Sequence, residues 1–158
     1  MSKSHPCVGF VGALDEAEAA VGLARSMVGE GLEEFREVLL YAEELLFRVG
    51  FTFSTRRRCV AAGDVKRLEE LIDKYSSYVE PAFVMSPDYP AAAAVNLARA
   101  VVRRAEREYW ACIQALGEPA GEEAALLNRL SDLLYALQAA MARKAGVRLR
   151  HPRCGSES

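Results

Sequence analysis

Asn96-Leu97-Ala98-Arg99-Ala100-Val101-Val102-Arg103-Arg104-Ala105-Glu106-Arg107 is the stretch whose reading decides the fold. In and around it, Val95, Ala98, Val102, Ala105, Tyr109 and Ile113 recur 3, 4, 3, 4 and 4 positions apart, one buried stripe of an amphipathic helix. Asn96, Arg99, Arg103, Glu106 and Arg107 fall together on the opposite side, where residues three and four apart are neighbours. A solvated face with local ion pairs explains most such patterns. Here the cations are arginines rather than lysines, and they cluster within nine residues. A guanidinium presents a planar fork of donors that suits phosphate and carboxylate.

Outward from this helix the same period recurs. Val11, Leu14, Ala17, Val21, Ala24 and Val28 predict a first helix from Phe10 to about Val28, stopped by Gly29 and Gly31. Phe35, Val38, Ala42, Leu45, Val49 and Phe53 set out a second, closing at Arg56-Arg57-Arg58, where cations favour the helix dipole. Asp64 reads as the N-cap of a third, with Val65, Leu68, Ile72, Tyr75 and Val79 as its stripe. Pro81 to Pro90 cannot continue a helix. The fourth helix runs from about Ala91 to Leu116. Gly117, Pro119 and Gly121 make a loop, and Leu127, Leu130, Leu134, Leu137 and Met141 mark a fifth helix that Gly146 stops. The fold class expected is all-α: a single-domain five-helix bundle over residues 1–147, with 148–158 as a mobile basic and polar tail.

Composition excludes several classes. A chain of 158 residues is about one domain, and a net charge of -2 gives no reason to expect nucleic acid or an anionic membrane as partner. No apolar run approaches the roughly 18–20 residues that span a bilayer, and the start has no signal-peptide pattern. Cys7, Cys59, Cys112 and Cys154 stand far apart without metal-ligand spacing, so idle thiols in a reducing cytoplasm are expected, with a bridge left open. Both histidines, His5 and His151, are terminal, and no phosphate-loop motif occurs. The adjacent carboxylate pairs do not make a di-iron pattern, and no metal site is predicted. What stands out is polar: Asn128 and Asp132 one turn apart among leucines, Asp15 early in helix one, and Phe83 ahead of the proline-rich loop, where core packing is its default role.

Five segments, in order, resemble the ATP:cob(I)alamin adenosyltransferases of the trimeric, propanediol-utilisation type. The arginine helix is similar to that family's Leu-His-x-Ala-Arg-x-x-x-Arg-Arg-Ala-Glu-Arg, with Asn96 in place of His. Val11-Gly12-Ala13-Leu14-Asp15-Glu16 resembles its Gly-x-x-Asp-Glu-Leu start, and Leu46-Phe47-Arg48-Val49-Gly50 its Leu-Phe-x-x-Gly. Phe83 resembles the Phe of Phe-x-x-Pro-Gly-Gly, and Leu127-Asn128-Arg129-Leu130-Ser131-Asp132 completes the set. Four differences stand beside these. Ser86-Pro87-Asp88 replaces Pro-Gly-Gly, Glu18 stands where Asn is usual, Gln138-Ala139 replaces Ala-Arg, and no Thr-Arg-Thr-Gly-Asp segment precedes Lys3.

The resemblance implies a ferritin-like up-down bundle, a cytoplasmic homotrimer with sites between subunits, and transfer of the 5′-deoxyadenosyl group of ATP to cob(I)alamin with release of triphosphate. ATP with magnesium and cobalamin (vitamin B12) would be the small molecules. A corrinoid reductase or a B12-dependent mutase would be the protein partners. It implies Arg103, Glu106 and Arg107 near the phosphates, Asn128 on the nucleotide and Lys3 on ATP. Arg99 would pair with a neighbour's Asp15, and Phe83 would cover the lower axial side of cobalt. The segment absent ahead of Lys3 implies an alternative, a non-catalytic trimeric relative that binds corrinoid, nucleotide or protein.

Overall fold

The computed structural model describes residues 2–155. Five α-helices carry the chain: α1 Pro6–Ser26, α2 Glu33–Thr55, α3 Ala62–Tyr75, α4 Pro90–Leu116 and α5 Glu122–Lys144, with a single 3-10 turn at Ser76–Tyr78. No strand occurs among the described residues. The expected all-α bundle is the fold found.

Side-chain contacts fix the helix directions. Cys7 at the start of α1 meets Cys112 at the end of α4, Arg25 meets Glu43, Asn128 meets Glu106, and Tyr41 meets Asp64. Successive helices therefore alternate up and down. Neighbours around the bundle run α2, α1, α4, α5, α3, with α1 packed most extensively on α4. α5 is the central element: Leu126, Leu127, Leu130, Leu133, Leu134 and Leu137 are all fully buried, because its apolar residues occupy more than one stripe. Phe10 wedges between Phe53 and Tyr109, with ring centroids 5.2 Å from each.

Several expectations need correction. α1 starts at Pro6, four residues early. Proline is tolerated in a first helical turn, and the His5 ring nitrogen accepts from Cys7 N–H as the cap. Val11 is 47% exposed and Phe10 takes its place in the core. Asp64 is not the N-cap of α3: Ala61 is, and Asp64 sits inside the first turn. Its Oδ2 accepts from Ala61 N–H at 2.8 Å, while Oδ1 accepts from the Tyr41 hydroxyl and Arg48. The Arg56–Arg58 run lies past the last turn of α2. Arg56 caps that helix in the left-handed region (φ 59°), and Arg56 and Arg58 pair with Glu118 and Glu122.

Cys7 and Cys112 are not idle thiols: they are buried and joined as a disulfide between α1 and α4, while Cys59 and Cys154 are free and exposed. The segment expected to be a mobile tail is laid along the Pro81–Pro90 loop. Met85 N–H donates to Arg150 O at 2.7 Å, Arg150 pairs with Asp88, and Val147 and Leu149 pack on the core. Residues 156–158 of that tail lie outside the described residues. No helix among the described residues is long and apolar enough to cross a membrane.

Candidate functional site

The bundle presents two polar faces of opposite character. The first lies along the groove between α4 and α5. Because those helices run antiparallel, Arg99 falls level with Tyr135, and Glu106 with Asn128. The Arg99 guanidinium sits 5.9 Å from the Tyr135 ring centroid, and its Nε donates to Asn96 Oδ1 at 3.0 Å. Asn128 Nδ2 reaches Glu106 at 3.4 Å, and Asn128 Oδ1 accepts from Arg129, which also bonds Glu69.

Arg103 and Arg107 stand exposed on the same line. Among the described residues, Arg104 with Glu16 is the one ion pair made by this arginine run. Burial, and then the positive charge of Arg103, holds the Arg99 guanidinium below its usual value. Arg99 is thus partly desolvated beside a second cation, and Arg99, Arg103 and Arg107 form no ion pair among the described residues, an arrangement that can receive an anion.

Tyr135 links this groove to a second feature. It lines an open cavity of about 640 Å³ together with Phe83, His151 and Pro152. Phe83 is 89% exposed, so its default role in the core does not hold. The loop carrying it is braced from behind: His151 Nδ1 lies 3.0 Å from Phe83 O, and Nε2 lies 3.3 Å from Glu80 Oε2. The loop thus holds an aromatic ring into solvent, an apolar patch that nothing in this subunit covers.

The other face lies between α1 and α2. Asp15 and Glu18 border a cavity of about 370 Å³ walled by Val11, Leu14, Phe47 and Phe51. Val11, Phe47 and Phe51 are about half exposed. Burial, then the charges of Asp15 and Glu43, push the Glu18 carboxyl up to about 7. Lys3 is exposed ahead of α1, near the end of the bundle that the disulfide closes.

The structure thus brings Arg99, Arg103, Glu106, Arg107 and Asn128 onto one groove, with Phe83 reached through Tyr135. Asp15 and Lys3 belong to other surfaces of the same chain. Tyr135, His151 and Glu18 were not singled out as site residues by the sequence reading. Tyr135 continues the Asn128, Asp132 line at helical spacing and was legible on that ground.

Among the described residues no group of three His, Cys, Asp or Glu could hold a metal ion. A magnesium ion bound here would be held chiefly by the phosphates it accompanies.

An all-α bundle with an arginine-lined groove on one face and an acidic, apolar furrow on another is the class of protein that the fold and these residues define. The sequence profile of the cobalamin adenosyltransferase family matches residues 1–141, and the chain belongs to that family. Corrinoid adenosyltransferase MMAB of Mus musculus is 36% identical over 148 residues, covering 86% of this chain and 62% of that protein. Corrinoid adenosyltransferase PduO of Salmonella typhimurium is 31% identical, covering 87% and 43%. The chain therefore spans about three fifths of the length of the mammalian relatives it matches. Among solved structures, a variant of the PduO-type ATP:corrinoid adenosyltransferase of Lactobacillus reuteri complexed with ATP superposes with a TM-score of 0.83 at 25% identity. That match covers 97% of this chain and 90% of that one.

Proposed function

We propose that this protein transfers the 5′-deoxyadenosyl group of ATP to cob(I)alamin, releasing triphosphate and forming adenosylcobalamin. The observation that carries the reading is the uncompensated line Arg99, Arg103 and Arg107, continuous through Tyr135 with the ring of Phe83. Co(I) is an extreme nucleophile, so the cobalt–carbon bond forms as the C5′–oxygen bond breaks, with no acid or base required. The protein's work is alignment and neutralisation of the departing triphosphate.

Arg103 and Arg107 serve that charge, with Lys3 on ATP and magnesium brought on the phosphates. Asn128, held by Glu106, contacts the nucleotide. Phe83 presents an apolar ring to the lower face of the corrin. That removes an axial ligand and eases reduction of Co(II). A corrinoid reductase supplies the electron and a B12-dependent mutase receives the product. Residues 1–147 carry this work, and Arg150 and His151 beyond them brace the Phe83 loop.

Asp15 and Arg99 lie on different faces of one chain and make no ion pair with each other. Opposite charge on two different faces supports a head-to-tail assembly that closes into a ring, a homotrimer with each site between neighbours. The test is direct: purified protein, chemically reduced cobalamin and Mg-ATP, with adenosylcobalamin followed by absorbance. Product formation above the no-protein control is expected. Its absence, where an authentic family member works, would contradict the reading.

A further inference from the structure

The α1–α2 face holds one feature that the activity does not use. Glu18 is half-buried at the edge of the Phe47 and Phe51 cavity, next to Asp15, and makes no hydrogen bond or ion pair among the described residues. Every charge around it is accounted for. On α1, Asp15 repels it and Arg25 is taken by Glu43 at 3.0 Å; on α2, Glu43 repels it as well. From α4, Arg104 reaches only Glu16. An acid this enclosed, walled by exposed aromatic rings, has no use inside one subunit.

The α4–α5 groove holds the converse: Arg99 and Arg103 lie close together, and neither forms an ion pair among the described residues.

We propose that Glu18 is a second interface acceptor: on a neighbouring copy it receives Arg99 jointly with Asp15, and so positions the arginine helix while Arg103 and Arg107 stay with the triphosphate. This rests on the trimer reading above. The occupant of the α1–α2 cavity is a second copy of this chain, because that chain carries the complementary cation.

Such pairing needs the ionised carboxylate. In the isolated subunit Glu18 keeps its proton up to about pH 7, against 4.5 for an ordinary glutamic acid. That burden grows as pH rises through this window, and a neighbour's arginine relieves it. Assembly then releases a proton whenever the medium lies below about 7, and the trimer weakens on acidification.

Sedimentation equilibrium of the full chain between about pH 6 and about pH 8.5 reads this. The dissociation constant should rise about tenfold per interface for each pH unit below 7. Glu18→Gln should still assemble above that pH, more weakly, with the slope flattened. Asp15→Asn should weaken assembly and move the onset of the slope to lower pH, because the charge of Asp15 is part of what holds the Glu18 carboxyl up. A wild-type trimer of constant affinity across the range, a Glu18→Gln protein with the wild-type slope, or an Asp15→Asn protein whose onset moves to higher pH would overturn the Glu18 assignment alone. A chain that is monomeric at every pH would overturn the trimer reading, and this inference with it.

Discussion

The α4–α5 groove and the α1–α2 face have the same architecture, two antiparallel helices with a furrow between them, yet they end in opposite states. In the first, Arg99, Arg103 and Arg107 follow a furrow with polar contacts, Asn128 bonded across it to Glu106 and Asn96 bonded to Arg99 along α4. In the second, Asp15 and Glu18 rim a furrow whose walls are phenylalanine and valine. A polar furrow keeps cations wet and available to a small anion. Apolar walls raise the cost of leaving the carboxylates without a partner, which is how a surface comes to require a second protein. One face is built for ligand, the other for a neighbour.

The strongest way to disturb this arrangement is to cut the covalent tie between the helices that carry the two faces. The Cys7–Cys112 bond closes a loop with a sequence separation of 105 residues, and by the chain-entropy account a loop that long is worth roughly 4–5 kcal/mol. Thermal melting with and without reductant should drop by about 10 °C, and Cys112→Ala should melt at the reduced value in both buffers. A melting point indifferent to reductant would show that the tie does not form in solution.

The next largest effect separates the faces without touching either core. Asp15→Ala leaves Arg99 of a neighbour buried and unmatched, which should weaken the trimer by roughly 3–5 kcal/mol in analytical ultracentrifugation. The isolated subunit should melt as before, within about 0.5 kcal/mol, because Asp15 is exposed there. A trimer of unchanged strength would remove the pairing.

Phe83→Ala sharpens the comparison from the ligand side. With its ring 89% exposed, truncation should alter stability by less than about 0.5 kcal/mol. Its cost should fall on adenosylcobalamin formation, about tenfold or more in kcat, with the Km for ATP unchanged. Equal losses with and without reduced corrinoid saturation would argue for a structural role instead.

The helices were legible because buried stripes repeat near 3.6 residues: each predicted stripe marks a helix of the structure, although Val28 and Val79 lie past the ends of α1 and α3. Boundaries were harder. The first helix reads as starting at Phe10 but begins at Pro6, and Asp64 reads as a cap but serves one from within the turn. The arginine line and Asn128 were visible for the same periodic reason as the core. Glu18 was not: its significance comes from Glu43 on the next helix and from the rings beside it, and pairing across helices leaves no local period. The strap is the same case, since His151 meets Phe83 across 68 residues.

Subunit complementation tests most directly whether each site is shared between two copies. Arg103→Ala removes the ligand face of its own chain, and Asp15→Asn removes the neighbour face of its own. Each alone should form little adenosylcobalamin. Mixed in equal amounts and allowed to exchange, they should recover about a quarter of wild-type activity, since random rings pair one intact groove with one intact acidic face at that frequency. A mixture no more active than its two components would mean that each subunit works alone, and the account of a shared site would fail.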